Sequence, residues 1–90
     1  KYEESIAALS AITGVKIEPL DRLISGERYD PILIAGKSMD LEWATVRALI
    51  ILRLGPTKTP SPADIENARV NYVRLMPTTA QRVVEFWKTR

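Results

Sequence analysis

The chain has 90 residues, of which 46% are hydrophobic and 27% are charged, so it suits one soluble globular domain spanning residues 1–90. It contains no cysteine and no histidine, which excludes disulfide bonds, metal sites built from these side chains, and catalysis that relies on a histidine base or a thiolate. The formal net charge of +2 is too small to indicate nucleic acid as a partner, and we expect neither enzymatic activity nor a cofactor.

The first quarter of the chain predicts two short helices. The first ends before Gly14, because glycine is favoured immediately after a helix. The second begins near Pro19, since proline suits the first helical turn, and it ends at Gly26. The apolar residues at helical spacing are Tyr2, Ile6, Leu9 and Ile12 in the first helix, and Leu20, Leu23 and Ile24 in the second.

The middle of the chain predicts a short helix and a long one. Asp30 followed by Pro31 is typical of a helix N-cap and first turn. The apolar run at residues 32–35 could form a helix or a buried strand, and we favour a helix because no other segment offers a strand to pair with. Asp40 is expected to cap the helix at residues 41–54, which has few polar positions and should be the central, most buried one. The core residues expected from it are Ala48 and Leu52.

Capping residues predict two further helices. The segment 55–62, rich in proline, is the clearest loop, and Ser61 can cap the helix that follows it. Thr78 and Gln81 have the spacing of a capping box, in which a hydroxyl and an amide satisfy the first backbone N–H groups of the last helix. The apolar faces are formed by Ile65, Ala68, Tyr72, Leu75 and Met76, and by Ala80, Val83, Val84 and Trp87.

Together these elements predict an all-α fold, an irregular bundle of about six short helices. Residues 5–9 resemble residues 45–49, and each stretch leads to a glycine. Their separation of about 40 residues is compatible with stacked helical hairpins of the HEAT type.

The segment 30–54 has a second interpretation, as a helix-turn-helix that binds nucleic acid. In that motif a hydroxyl residue of the second helix faces DNA while the next apolar residue anchors the core, as Thr45 and Val46 would. The exposed face of the helix would, however, carry Glu42 and apolar side chains, whereas base edges and phosphates require polar and basic ones. A structural role is therefore favoured, and nucleic-acid binding is the alternative.

Three residues are candidates for contacts with a partner, each with a structural alternative. Arg47 lies within the apolar arc of its helix, where it could bind an anion or lay its stem along the core with its head at the rim. Arg82 belongs to the last helix, whose dipole favours cations near its end without any partner. Trp87 could anchor an interface or pack inward beside Val83 and Val84. The acidic residues show no metal-ligand spacing, so no metal site is expected.

The hydropathy and the first residues of the chain indicate its cellular location. The longest apolar run, at residues 48–52, is far too short to span a bilayer, and residues 1–4 are not a signal peptide. We therefore expect a cytoplasmic protein without a membrane partner. Because the chain opens on Lys1 inside an expected helix, we also expect it to be a piece of a longer protein.

Two stretches of the chain resemble a known family. Residues 41–49, preceded by Tyr29-Asp30-Pro31 and Lys37, and the ending at residues 79–87 are similar to an uncharacterised bacterial family, the domain of unknown function 2336. The resemblance covers most of the chain and implies a C-terminal portion of a longer protein whose upstream part looks like helical repeats. It implies no activity. Its most specific residues are Gln81, Arg82, Phe86 and Trp87.

Protein–protein interaction is the function that these features favour. We expect a non-catalytic module of a bacterial scaffold or regulatory protein, which binds a protein partner and could form a homo-oligomer. A basic stripe on the folded surface would instead favour nucleic acid. The residues expected to contact a partner are Arg47, Arg82 and Trp87.

Overall fold

The computed structural model describes residues 2–26, 28–55 and 58–89. These residues form six α-helices and no strand, which confirms the all-α class and the choice of a helix for residues 32–35. None of the described helices combines the length and the apolar character needed to cross a membrane. The helices are α1 (Tyr2–Thr13), α2 (Ile17–Ile24), α3 (Asp30–Ser38), α4 (Trp43–Leu54), α5 (Pro62–Arg74) and α6 (Pro77–Lys88).

Two of the predicted helix boundaries are confirmed in detail. α1 ends before Gly14, whose φ of 81° is a left-handed conformation that glycine adopts without steric cost. Ser61 caps α5, because its Oγ accepts a hydrogen bond of 3.0 Å from the backbone N–H of Asp64. Both boundaries follow from the local chemistry of a single residue, which is why the sequence reveals them.

The caps predicted at Asp30 and Asp40 are wrong. Asp30 is already helical, since Tyr29 occupies the N-cap position of α3, and its carboxylate pairs with Arg28 at 2.9 Å. Asp40 lies in the turn before α4 with a φ of 54°, and Glu42 occupies the N-cap position without a side-chain hydrogen bond. Aspartate tolerates this left-handed conformation better than most residues, so Asp40 serves the turn and not the helix end.

The predicted capping box at Thr78 and Gln81 is also wrong. α6 begins at Pro77, so Thr78 lies inside the first turn, and the N-cap position is held by Met76 without a side-chain hydrogen bond. Proline has no N–H to satisfy and a preset φ, so it can start the helix without a cap. The Gln81 amide donates instead to the backbone C=O of Ser38, at a long distance of 3.4 Å.

The central helix of the bundle is α3, not the helix at residues 41–54. α3 packs against α2, α4 and α5, and most extensively against α6. α4 buries only Val46 and Ile50, whereas Ala48 is exposed and Leu52 is half-buried, so the expected core positions in this helix are wrong. A chain of this size has a thin core, which fully buries one side of α4 and leaves its other apolar residues half-buried or exposed.

The hydrophobic core draws side chains from every helix. From α3 it takes Ile32, Leu33 and Ala35. Trp87 of α6 is 6% exposed and packs inward, as predicted, while its neighbour Val83 is half-buried. The HEAT-like stacking of hairpins stays a prediction. The buried hydrophobic residues from the rest of the chain are Ile6, Leu9, Val15, Leu20, Ile24, Val46, Ile50, Ala68, Tyr72, Ala80 and Val84.

Candidate partner-binding groove

A surface groove of about 420 Å³ lies between α2 and the end of α6, and we call it the α2–α6 groove. Lys16 immediately precedes the first turn of α2. Pro19, Arg22 and Leu23 fall at helical spacing on one face of that helix. Trp87 enters from the last turns of α6. These five residues line the groove.

The floor of the α2–α6 groove is apolar and held in place by the core. Trp87 is almost fully buried, and Pro19 and Leu23 are half-buried. On the opposite side of α2, Leu20 and Ile24 insert into the core and fix the helix. Because the floor residues are anchored by packing, a ligand would meet a surface that is already formed.

The rim of the α2–α6 groove is positively charged. Lys16 and Arg22 are exposed, and in the described part of the chain neither forms an ion pair or a side-chain hydrogen bond. The nearby Asp21 accepts a hydrogen bond of 2.9 Å from the Tyr2 hydroxyl, and Glu18 is exposed on α2 without lining the groove. The groove therefore offers two free cations and no carboxylate.

Helix stability does not explain the position of Lys16. A cation before the first turn of a helix opposes the helix dipole, which favours anions at that end. Lys16 occupies the N-cap position of α2 and makes no side-chain cap hydrogen bond. Lys16 is therefore an exposed cation beside the groove that the stability of α2 does not require.

The lining of the groove consists of two basic and three apolar side chains. Its side chains include no carboxylate, hydroxyl or thiol that could act as a nucleophile or general base. Among the described residues, no three side chains of the types that ligate metals come together. The side chains that line the groove can form ion pairs and apolar contacts with a ligand.

Only one of the three residues predicted to contact a partner lies at the groove. Trp87 forms part of its floor and is at the same time a core residue, so its two interpretations are compatible. Arg47 on α4 and Arg82 on α6 are exposed but do not line the groove. Sequence reasoning missed Lys16 and Arg22, because only the fold places them in the same groove as the Trp87 indole.

The region proposed as a helix-turn-helix has the expected order of elements, α3, a short turn and α4. The turn is closed by a hydrogen bond of 3.0 Å from the backbone N–H of Leu41 to the C=O of Gly36. Val46 is buried and Thr45 is exposed, as the motif requires. The exposed side of α4 nevertheless carries a single cation, Arg47, among small or apolar neighbours.

Comparison with known proteins supports the family assignment. No curated protein and no solved structure matches the chain. The family described as "Uncharacterised protein conserved in bacteria (DUF2336)" matches residues 1–85 of the 90-residue chain. The match includes Gln81 and Arg82 and ends before Phe86 and Trp87. Because it covers nearly the whole chain, it confirms the resemblance, and the chain belongs to this bacterial family.

Proposed function

We propose that the chain is a non-catalytic protein-interaction module that binds an acidic segment of a partner protein in the α2–α6 groove. The observation that carries the proposal is the pair of free cations, Lys16 and Arg22, above the apolar floor at Trp87. A cytoplasmic location, a place in a scaffold or regulatory protein, and assembly into a homo-oligomer belong to the same proposal.

The two parts of the groove contribute differently to binding. Arg22 offers a planar fork that suits a carboxylate, and Lys16 offers a mobile point charge. Exposed ion pairs stabilise a complex by only about 0–1 kcal/mol each, so they mainly set the association rate and the preference for an acidic partner. Most of the affinity comes from an apolar side chain of the partner that covers the half-buried Pro19 and Leu23 and touches the small exposed part of Trp87.

Photo-crosslinking in bacterial cells tests this function. A photoreactive residue replaces Glu18, an exposed neighbour of the groove on α2. We expect a discrete crosslinked protein whose crosslinked segment is rich in Asp and Glu and contains an apolar residue. The product should be lost when Lys16→Glu and Arg22→Glu are combined, since the charge of the rim is then reversed.

The matched control combines Arg47→Glu with Arg82→Glu. It makes the same change of net charge at two exposed arginines outside the groove, so it should leave the crosslink intact. Equal loss in both double variants would show that net charge, and not the groove, attracts the partner. A crosslinked segment without acidic residues would contradict the proposed ligand.

Nucleic-acid binding is the second candidate, favoured by the order α3, turn and α4 with Val46 buried and Thr45 exposed. It ranks lower because contacts with several phosphates need more cations than Arg47 alone on the exposed side of α4. We expect no sequence-specific binding to duplex DNA at physiological salt in a gel-shift titration. A nanomolar, sequence-dependent Kd that Arg47→Ala abolishes would promote this candidate above the first.

A further inference from the structure

A second groove, of about 300 Å³, lies between α3 and α5 on a part of the surface that shares no lining residue with the first. We call it the α3–α5 groove. Its floor includes Leu33 and Ala68, both buried in the core. Asn67 and Asn71 of α5 line one side of the groove.

The two asparagines are not explained by the stability of α5. Both lie in the interior of the helix, where asparagine is a poor helix former because its amide competes with the backbone for hydrogen bonds. Both are exposed, and neither side chain forms a hydrogen bond with the described part of the chain. Each amide therefore has one acceptor and two donor hydrogens free to bind something outside the chain.

The spacing of the two amides matches an extended polypeptide. Asn67 and Asn71 are four residues apart on one face of α5, which places them about 6 Å apart along the helix axis. Alternate residues of an extended chain repeat about every 6.4–6.8 Å, and each presents a backbone N–H and C=O on the same edge. One asparagine can thus pair with the N–H and C=O of one residue, and the second asparagine with those of the residue two positions on.

The charge around the α3–α5 groove adds a preference for a basic side chain. Arg28 and Asp30 pair with each other at 2.9 Å. The carboxylate of Asp64 has no ion pair within the described residues, although its backbone N–H is capped by Ser61. The net formal charge of the lining is therefore negative, with the free charge at the Asp64 end.

We propose that the α3–α5 groove binds an extended segment of a partner protein by its main chain, through Asn67 and Asn71, with a lysine or arginine of the segment beside Asp64. This site is independent of the proposed function of the α2–α6 groove, because the two grooves differ in lining and favour ligands of opposite charge. Recognition of the main chain tolerates many side chains, so a generic extended peptide is a fair probe.

The test is an NMR titration of the full chain with the blocked hexapeptide Ac-Thr-Val-Thr-Lys-Thr-Val-NH2. We expect saturable shifts of the side-chain amide signals of Asn67 and Asn71 and affinity in the range of about 0.1–1 mM. A second peptide carries N-methyl groups on alternate residues, which remove backbone donors and keep every side chain. It should bind at least about tenfold more weakly.

Variants separate binding from folding. Asn67→Leu combined with Asn71→Leu should weaken binding of the peptide at least about tenfold while leaving the melting temperature unchanged or raised, since leucine is the better helix former. Asp64→Asn should weaken binding of the lysine peptide but not of its glutamine counterpart. Absence of shifts at the two amides, equal binding of the N-methylated peptide, or equal binding by the double leucine variant would each overturn the proposal.

Discussion

Gly36 of α3 lies so close to Val46 of α4 that a Cβ built on the glycine would be 2.7 Å from Val46 Cγ2. Real side chains do not approach this closely, so α3 and α4 can pack together here only because residue 36 has no side chain. We expect Gly36→Ala to lower the free energy of unfolding by about 1–3 kcal/mol, because α3 and α4 must move apart. Denaturation by urea measures this loss.

Gly26→Ala is the matched control for that substitution. A Cβ at Gly26 would meet no atom closer than the backbone oxygen of Leu23, at 3.5 Å, and the residue is exposed. We therefore expect no loss of stability there. If Gly36→Ala were as stable as Gly26→Ala, the close approach of α3 and α4 would be incorrect.

The stability lost when side chains of α4 are truncated should follow their burial in the fold and not the apolar pattern of the sequence. Ile50 is fully buried, so Ile50→Ala should cost about 2–5 kcal/mol of stability. Leu52→Ala should cost clearly less because Leu52 is half-buried, and Ala48→Ser should be nearly neutral because Ala48 is exposed. Chemical denaturation of the three variants gives the order, and a larger loss at Leu52 than at Ile50 would contradict the side of α4 that the fold buries.

Trp87 should behave as a core residue even though it forms the floor of the α2–α6 groove. In a Trp43→Phe background, where Trp87 is the remaining tryptophan, its fluorescence should be blue-shifted in the folded state and move to the red on unfolding. Trp87→Ala should cost about 3–5 kcal/mol. Emission typical of indole in water in the folded protein would contradict the packing of α6.

The alkaline stability of the chain should depend on Tyr2. Burial, together with the hydrogen bond that its hydroxyl donates to Asp21, raises the pKa of Tyr2 to about 12. In the unfolded chain the pKa of Tyr2 is about 10. The buried neutral hydroxyl therefore contributes stability that is fully present below pH 10 and is lost as the pH rises through about 12. Tyr2→Phe should remove this part of the alkaline loss. Urea melts across that pH range measure it, and an identical pH dependence in Tyr2→Phe would refute the contribution.

The sequence predicted those features of the fold that arise from one residue and its near neighbours. Gly14 and Ser61 end and begin helices through their own backbone or hydroxyl chemistry, so α1 and α5 were located correctly. Asp30, Asp40 and Thr78 have the same local chemistry as true caps, but the turns and Pro77 placed the helix starts elsewhere.

The identity of the central helix could not be read from the chain. Residues 41–54 are more continuously apolar than α3, yet burial depends on the helices packed around a segment, and α3 packs against α2, α4, α5 and α6. Small residues such as Ala35 and Gly36 let those neighbours approach, as the contact with Val46 shows. Periodicity records which side of a helix is apolar but not which helices meet there.

The candidate site was predicted only at Trp87. Lys16 and Arg22 are ordinary surface cations in the sequence, and they gain significance from the position of α2 beside the end of α6. Arg47 and Arg82 were predicted to contact a partner because of their places in an apolar arc and in the last helix, but the fold places both outside the groove. Charge patterning along one helix cannot reveal a surface made by two.

Binding of an acidic segment in the α2–α6 groove is tested most directly by titrating Trp87 fluorescence, in the Trp43→Phe background, with a blocked acidic peptide, Ac-Asp-Glu-Leu-Asp-Leu-Glu-NH2. Its counterpart carries Asn and Gln in place of Asp and Glu, so both peptides have the same shape and the same apolar residues. We expect a saturable shift of Trp87 emission with the acidic peptide, affinity that falls as salt is raised, and binding of the amide peptide at least about tenfold weaker. Equal affinity for the two peptides, or no change in Trp87 emission with either, would contradict the proposed binding.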